Sequence, residues 1–141
     1  MAERMTEQEY LDFMRGTHTG KVSTVRADGS PHVAPIWFDL DDDGTILFTT
    51  GEASVKGRNL RRDPRVSICV DDETPPYAFV LVDGAAELSE VWEDRLRWAI
   101  RMAGRYLGTD RAEEAGRRNA TADELLVRVT PQKVLAVKNL E

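Results

Sequence analysis

The chain has 141 residues, of which 41% are hydrophobic and 31% charged. That is the size of one domain with one buried core, and we expect a single domain over residues 1–141. The net charge of −6 argues against a general nucleic-acid binder, and the single cysteine excludes an internal disulfide framework or a Cys-rich zinc site.

The first ten residues, MAERMTEQEY, are polar and acidic. They do not read as a secretory signal, and no apolar run approaches the length of a membrane span. The expectation is a cytoplasmic protein with no membrane partner. Thr6-Glu7-Gln8-Glu9 fits a capping box, Tyr10, Phe13 and Met14 share a helical face, and Gly16 is a stop signal. A helix over about residues 7–15 follows.

The period then changes. Gly20 to Arg26 reads as a strand, Ala27-Asp28-Gly29-Ser30 as a tight turn, and His32 to Leu40 as a second strand. Pro31 and Pro35 place that second strand at an edge or where some backbone N–H groups have no ladder partner. Asp41-Asp42-Asp43-Gly44 is another turn and Thr45 to Thr50 a third strand, so three consecutive strands predict an antiparallel meander. A short helix over Val55 to Arg62, a fourth strand over Arg65 to Asp71 and a long fifth over Tyr77 to Leu88 come next, with Gly84 a candidate bulge. Cys69 sits in the fourth strand as a small buried hydrophobe.

Residues 90 to 107 predict the longest helix, with Trp92, Leu96, Ala99, Ile100, Ala103 and Leu107 as its apolar stripe. Thr109 to Asp123 reads as a solvated helix or a loop. Leu125 to Val129 and Val134 to Val137 read as two strands split by Pro131. Strands predominate, without βαβ alternation. The fold class expected is mainly β with helices (α+β): a small antiparallel barrel with helices packed outside.

One segment asks for a ligand. With Ser54 as cap, Lys56 and Arg58 fall near the start of the short helix, where the macrodipole disfavours cations and free N–H groups point outward. A bound phosphate satisfies both. Thr49, Thr50 and Ser54 add hydroxyls, and Gly51 and Gly57 allow close approach of the backbone. The other reading is a basic, solvated helix face paired with Glu52 and Asp63, and the residues alone leave both open. Trp37 and Phe38 point to opposite sides of their strand, one toward the core and the other available to a flat ligand or a contact. His18 and His32 lack partners at metal-ligand spacing. No GxGxxG, Walker loop or GxSxG is present, and no catalytic acid or base is nominated. A barrel with a phosphate cradle and no acid–base machinery suits a protein whose cofactor carries the chemistry.

Several segments together resemble the split β-barrel family related to pyridoxamine 5′-phosphate oxidase. They are Thr24 to Trp37, Ile46 to Thr50, Ser54 to Val66, Pro75-Pro76-Tyr77, and Val82 to Leu88. The run from Lys56 to Pro64, K-x-R-N-L-R-x-D-P, resembles the branch that uses the deazaflavin coenzyme F420. The resemblance implies an antiparallel split β-barrel of the FMN-binding type, and a homodimer with a cofactor in each of two clefts between subunits. It places the cofactor phosphate against Thr50, Ser54, Lys56 and Arg58, and the ring along Pro35, Ile36 and Trp37. The partner subunit would contribute from around Pro75 to Tyr77. It implies hydride transfer from reduced F420 to a conjugated, electron-poor small molecule. Val55 stands where the flavin-using oxidases of the family carry arginine, which favours F420 over FMN. An FMN-dependent oxidoreductase of the same fold, or a non-catalytic carrier of F420 or a tetrapyrrole, are the alternatives.

Overall fold

The capping box forms as read. In this computed structural model, which describes residues 2–140, the Thr6 hydroxyl accepts from the Glu9 N–H at 3.1 Å and the Glu9 carboxylate accepts from the Thr6 N–H at 2.9 Å. They start helix α1 (Glu7–Arg15), which follows a short strand β1 (Glu3–Arg4). The remaining elements are β2 (Gly20–Val25), β3 (Pro31–Ile36), β4 (Asp39–Leu40), β5 (Ile46–Gly51), α2 (Val55–Arg62), β6 (Arg65–Asp72), β7 (Ala78–Ser89), α3 (Trp92–Leu107), a 3-10 turn (Thr109–Arg111), α4 (Ala112–Asn119) and β8 (Glu124–Lys138). Gly29 and Gly44 supply the positive φ, 87° and 88°, that the two tight turns need.

All pairings are antiparallel, in the order β3-β2-β6-β7-β8-β5-β4, with β1 on β8. β3 and β4 stand at opposite ends of that order, yet only Trp37 and Phe38 separate them in the chain. The sheet must therefore curl until its two ends meet, which makes a split barrel.

This corrects the three-strand meander. The second expected strand breaks after Ile36: its first part, β3, pairs with β2, while its last two residues, β4, do pair with β5 as expected, and the other neighbour of β5 is β8. Turn residues report which neighbours make a hairpin; they carry no information on the distant strand that completes the ladder. The expected break at Pro131 is also corrected, because β8 runs through it. Asp83 pairs with Lys133 and Gly84 with Pro131, so Gln132 is an extra residue in a bulge. The bulge absorbs the missing proline N–H. Gly84 is required there, since a Cβ would lie 2.5 Å from the Thr130 carbonyl oxygen.

The barrel interior holds Val22, Phe38, Ile46, Phe48, Ile68, Val70, Val80, Val82, Val127 and Val129, with Met14 and Leu60 packed against them. A smaller cluster of Leu47, Trp98, Met102 and Leu126 seats α3 on the outside of β5 and β8. The buried stripe of α3 is Arg95, Trp98, Ala99, Met102 and Ala103; it shares Ala99 and Ala103 with the predicted one, and Arg95, Trp98 and Met102 replace Trp92, Leu96, Ile100 and Leu107. Trp92 is exposed, and its ring lies over the Arg95 guanidinium, 5.5 Å from it. Arg95 is buried because its Nη1 donates to the carbonyls of Thr121, Ala122 and Glu124, a role that a hydrophobicity pattern cannot reveal. Among the described residues no helix is long and apolar enough to cross a membrane.

Candidate functional site

The site is built where β5 turns into α2. The Ser54 hydroxyl accepts from the Gly57 N–H at 3.0 Å and donates to the Gly51 carbonyl at 2.7 Å. Thr50 Oγ1 lies 2.8 Å from Ser54 Oγ, so the Thr50 proton goes to Ser54. Both hydroxyls are thereby engaged in the helix cap, and Thr50 is buried in the barrel. Gly57 permits this cap to close, since a Cβ there would sit 2.3 Å from the Gly51 oxygen.

Side chains alternate along β5, so Thr49 points the other way, toward α3. It joins Pro35, Ile36, Trp37 and Lys56 around a cavity of about 210 Å³, which Ala99 and Met102 of α3 and Asn119 of α4 complete. Five of the sequence-predicted site residues thus meet in one place. Lys56 is the second residue of α2, a helix with no acid in its first turn. Among the described residues no carboxylate comes within 4.0 Å of its ammonium group.

Trp37 occupies the point where the barrel splits. Phe38 goes fully into the core, while Trp37 stays 37% exposed. One face of its ring stacks on Tyr106 of α3, with centroids 4.9 Å apart and planes 5° from parallel. The Tyr106 hydroxyl donates to the His18 carbonyl at 2.6 Å and accepts from the Phe38 N–H at 3.1 Å. It holds the two chain segments at the split and fixes the indole beside the cavity. The sequence reading missed Tyr106, Ala99, Met102 and Asn119. They are brought in by the packing of α3 and α4, which no local motif encodes.

Other predicted residues lie elsewhere in the chain. Arg58 faces a separate groove of about 560 Å³ with Arg26, Asp28 and Arg62. The Arg62 guanidinium there donates to the Val25 carbonyl and to Asn59. Tyr77 is exposed beside Asp71, Asp72, Phe79 and Leu140, and Pro75 begins a cis Pro75–Pro76 peptide just before it. Within one chain, neither Pro75 nor Tyr77 lines the Lys56 cavity.

Burial shifts two further ionisable groups, Glu124 beside the cap of α2 and Cys69 on β6. Burial and the neighbouring Asp123 push the Glu124 carboxyl up, and Lys56 and Arg95 partly oppose that shift. Burial also pushes the Cys69 thiol up, which makes it a poor nucleophile. Among the described residues no group of three or more His, Cys, Asp or Glu side chains could hold a metal ion.

The family described as pyridoxamine 5′-phosphate oxidase matches residues 6–138. A 5a,11a-dehydrotetracycline/5a,11a-dehydrooxytetracycline reductase of Streptomyces rimosus is 37% identical over 68 residues, which is 46% of this chain and 48% of that protein. The match thus spans about half the length of that curated relative. Among solved structures, the conserved hypothetical protein Rv2991 of Mycobacterium tuberculosis superposes with a TM-score of 0.86 at 31% identity, over 96% of this chain and 86% of that one. A structure described as an F420 reductase superposes with a TM-score of 0.71 at 26% identity, over 87% of this chain and 93% of that one.

Proposed function

We propose, for a chain that belongs to the pyridoxamine 5′-phosphate oxidase family, that it is an oxidoreductase that binds F420 and reduces a conjugated, electron-poor small molecule. The observation that carries this reading is Lys56, a cation without a carboxylate partner at a helix start, in one cavity with the indole of Trp37. Lys56 would hold the cofactor phosphate, and the free face of Trp37 would meet the ring. When bound, the cofactor would supply a hydride, and a proton from water or a nearby donor would complete the reduction. The chain's own part is to hold and orient. The likeness to an F420 reductase supports this choice of cofactor, and the likeness to a reductase of a dehydro compound supports the class of acceptor.

The residues fit part of such a cofactor. About 210 Å³ accommodates a phosphate or one edge of a ring system, whereas clefts for whole ligands of this size run to about 300–1,000 Å³. A second copy of the chain would supply the remainder, and we propose a homodimer. The outer face of β2, β3, β6, β7 and β8 is the surface that suits it, because Val33 and Leu81 are exposed there beside Leu135.

The test is a fluorescence titration of the protein with F420, alongside FMN. Lys56→Ala should weaken F420 binding at least about tenfold, the scale of a lost charge-assisted hydrogen bond. Unchanged affinity removes Lys56 from the site. Tight FMN binding with no F420 binding replaces the cofactor and keeps the fold.

A further inference from the structure

Glu124 begins β8 directly across the ladder from Gly51, the residue whose carbonyl anchors the Ser54 cap. Its backbone is held from two sides. The Glu52 N–H donates to the Asp123 carbonyl at 2.8 Å. Arg95 Nη1 donates to the carbonyls of Thr121, Ala122 and Glu124 at 2.9, 3.0 and 2.9 Å. The side chain is half-buried, and its Oε2 is buried with no hydrogen-bond partner. An ionised carboxylate oxygen left without a donor in that position is costly.

The charged groups that face this carboxyl are Asp123 on its own strand, Lys56 from α2 and Arg95 from α3. Asp123 repels it. Arg95 has its Nη1 committed to three carbonyls, and its buried Nε–H has no acceptor. Lys56 is therefore the facing cation, among the described residues, whose charge no hydrogen bond or ion pair engages. No ion pair within 4.0 Å joins it to Glu124. The register puts Glu124 on the same face of β5 and β8 as Thr49, which lines the Lys56 cavity, so the ammonium acts on the carboxyl through the field.

We propose that Glu124 is the proton-linked counterpart of Lys56: its carboxylate balances the ammonium in the empty site and takes up a proton when an anionic ligand settles there. The inference rests on Lys56 being the anion site proposed above. One proton moves from solvent to the Glu124 carboxylate, and no other bond changes. The neutral carboxyl then no longer repels the ligand, and its O–H becomes a donor. Glu124 thus makes affinity depend on pH. An anion beside the carboxyl raises its pKa further, so wild-type affinity is highest at low pH. It falls as pH rises through the interval between the free and bound values, by at most tenfold per pH unit. Above that interval it is level.

The test compares wild type with Glu124→Gln from pH 5 to 8.5, with F420, FMN and inorganic pyrophosphate as separate probes. The ratio of the two affinities cancels each ligand's own titration. The account expects the two proteins to converge at low pH. At high pH Glu124→Gln should bind about fivefold tighter, the size of one charge–charge interaction across partly solvated protein. Parallel profiles overturn it. A second arm needs no ligand: the Glu124 carboxyl is titrated by NMR in wild type and in Lys56→Met. Its midpoint should rise when the ammonium is removed, and an unmoved midpoint overturns the pairing. If no probe binds, the proposed function falls while this arm still decides whether the two side chains are coupled.

Discussion

Replacing Tyr106 by phenylalanine removes one oxygen and keeps the ring that stacks on Trp37. The lost hydroxyl leaves the Phe38 N–H and the His18 carbonyl without their shared partner, at 3.1 and 2.6 Å in the native protein. Both sit in a partly buried seam at the split of the barrel. With about 1 kcal/mol for each hydrogen bond and some further cost for the groups left unpaired, the loss should total about 2–3 kcal/mol. At about 3 °C per kcal/mol for a chain of this size, the melting temperature should fall by about 6–9 °C. Urea unfolding should show a lower midpoint at an unchanged slope. A fall of less than about 2 °C would mean that water replaces the hydroxyl, and would refute its role in holding the split together.

Ser54→Ala separates capping from ligand binding: it should cost about 1 kcal/mol of stability in urea, while F420 affinity changes less than in Lys56→Ala. A tenfold loss of affinity with unchanged stability would return Ser54 to the phosphate site. Acid titration tests the far end of the same helix. The Arg65 guanidinium and N–H hold the Asp63 carboxyl down at about 2, against an ordinary 3.8. Because the folded value is depressed, the contribution is complete above the ordinary value and is lost as pH falls from about 4 through about 2. Carbon-detected NMR should find the Asp63 midpoint near 2 in wild type and closer to 3.8 in Arg65→Ala.

What could be read from the sequence follows the range of the forces involved. α1 and α2 appear over the residues predicted, because caps and stops are local: Thr6 and Glu9 are three residues apart, as are Ser54 and Gly57. The edge placement of β3 was legible from Pro31 and Pro35, since a missing N–H is a property of one residue. The pairing of β5 with β8 was not legible, because more than 70 residues lie between them in the chain. Pro131 misled for a related reason: its effect depends on Gln132 and Gly84 forming a bulge together. At the site, alternation separated Trp37 from Phe38, whereas Thr49 and Thr50 were read together as hydroxyl donors. The geometry then decided which of each pair reaches the cavity. Glu124 and Tyr106 were invisible, since their significance comes from what α2, α3 and the split of the barrel place beside them.

A crystal structure of the protein with F420 tests the central claim most directly. The account predicts a cofactor phosphate within hydrogen-bond distance of Lys56 Nζ and a deazaflavin ring against Pro35, Ile36 and Trp37. A cofactor bound elsewhere, or a Lys56 cavity closed off by a neighbouring protomer, would contradict it.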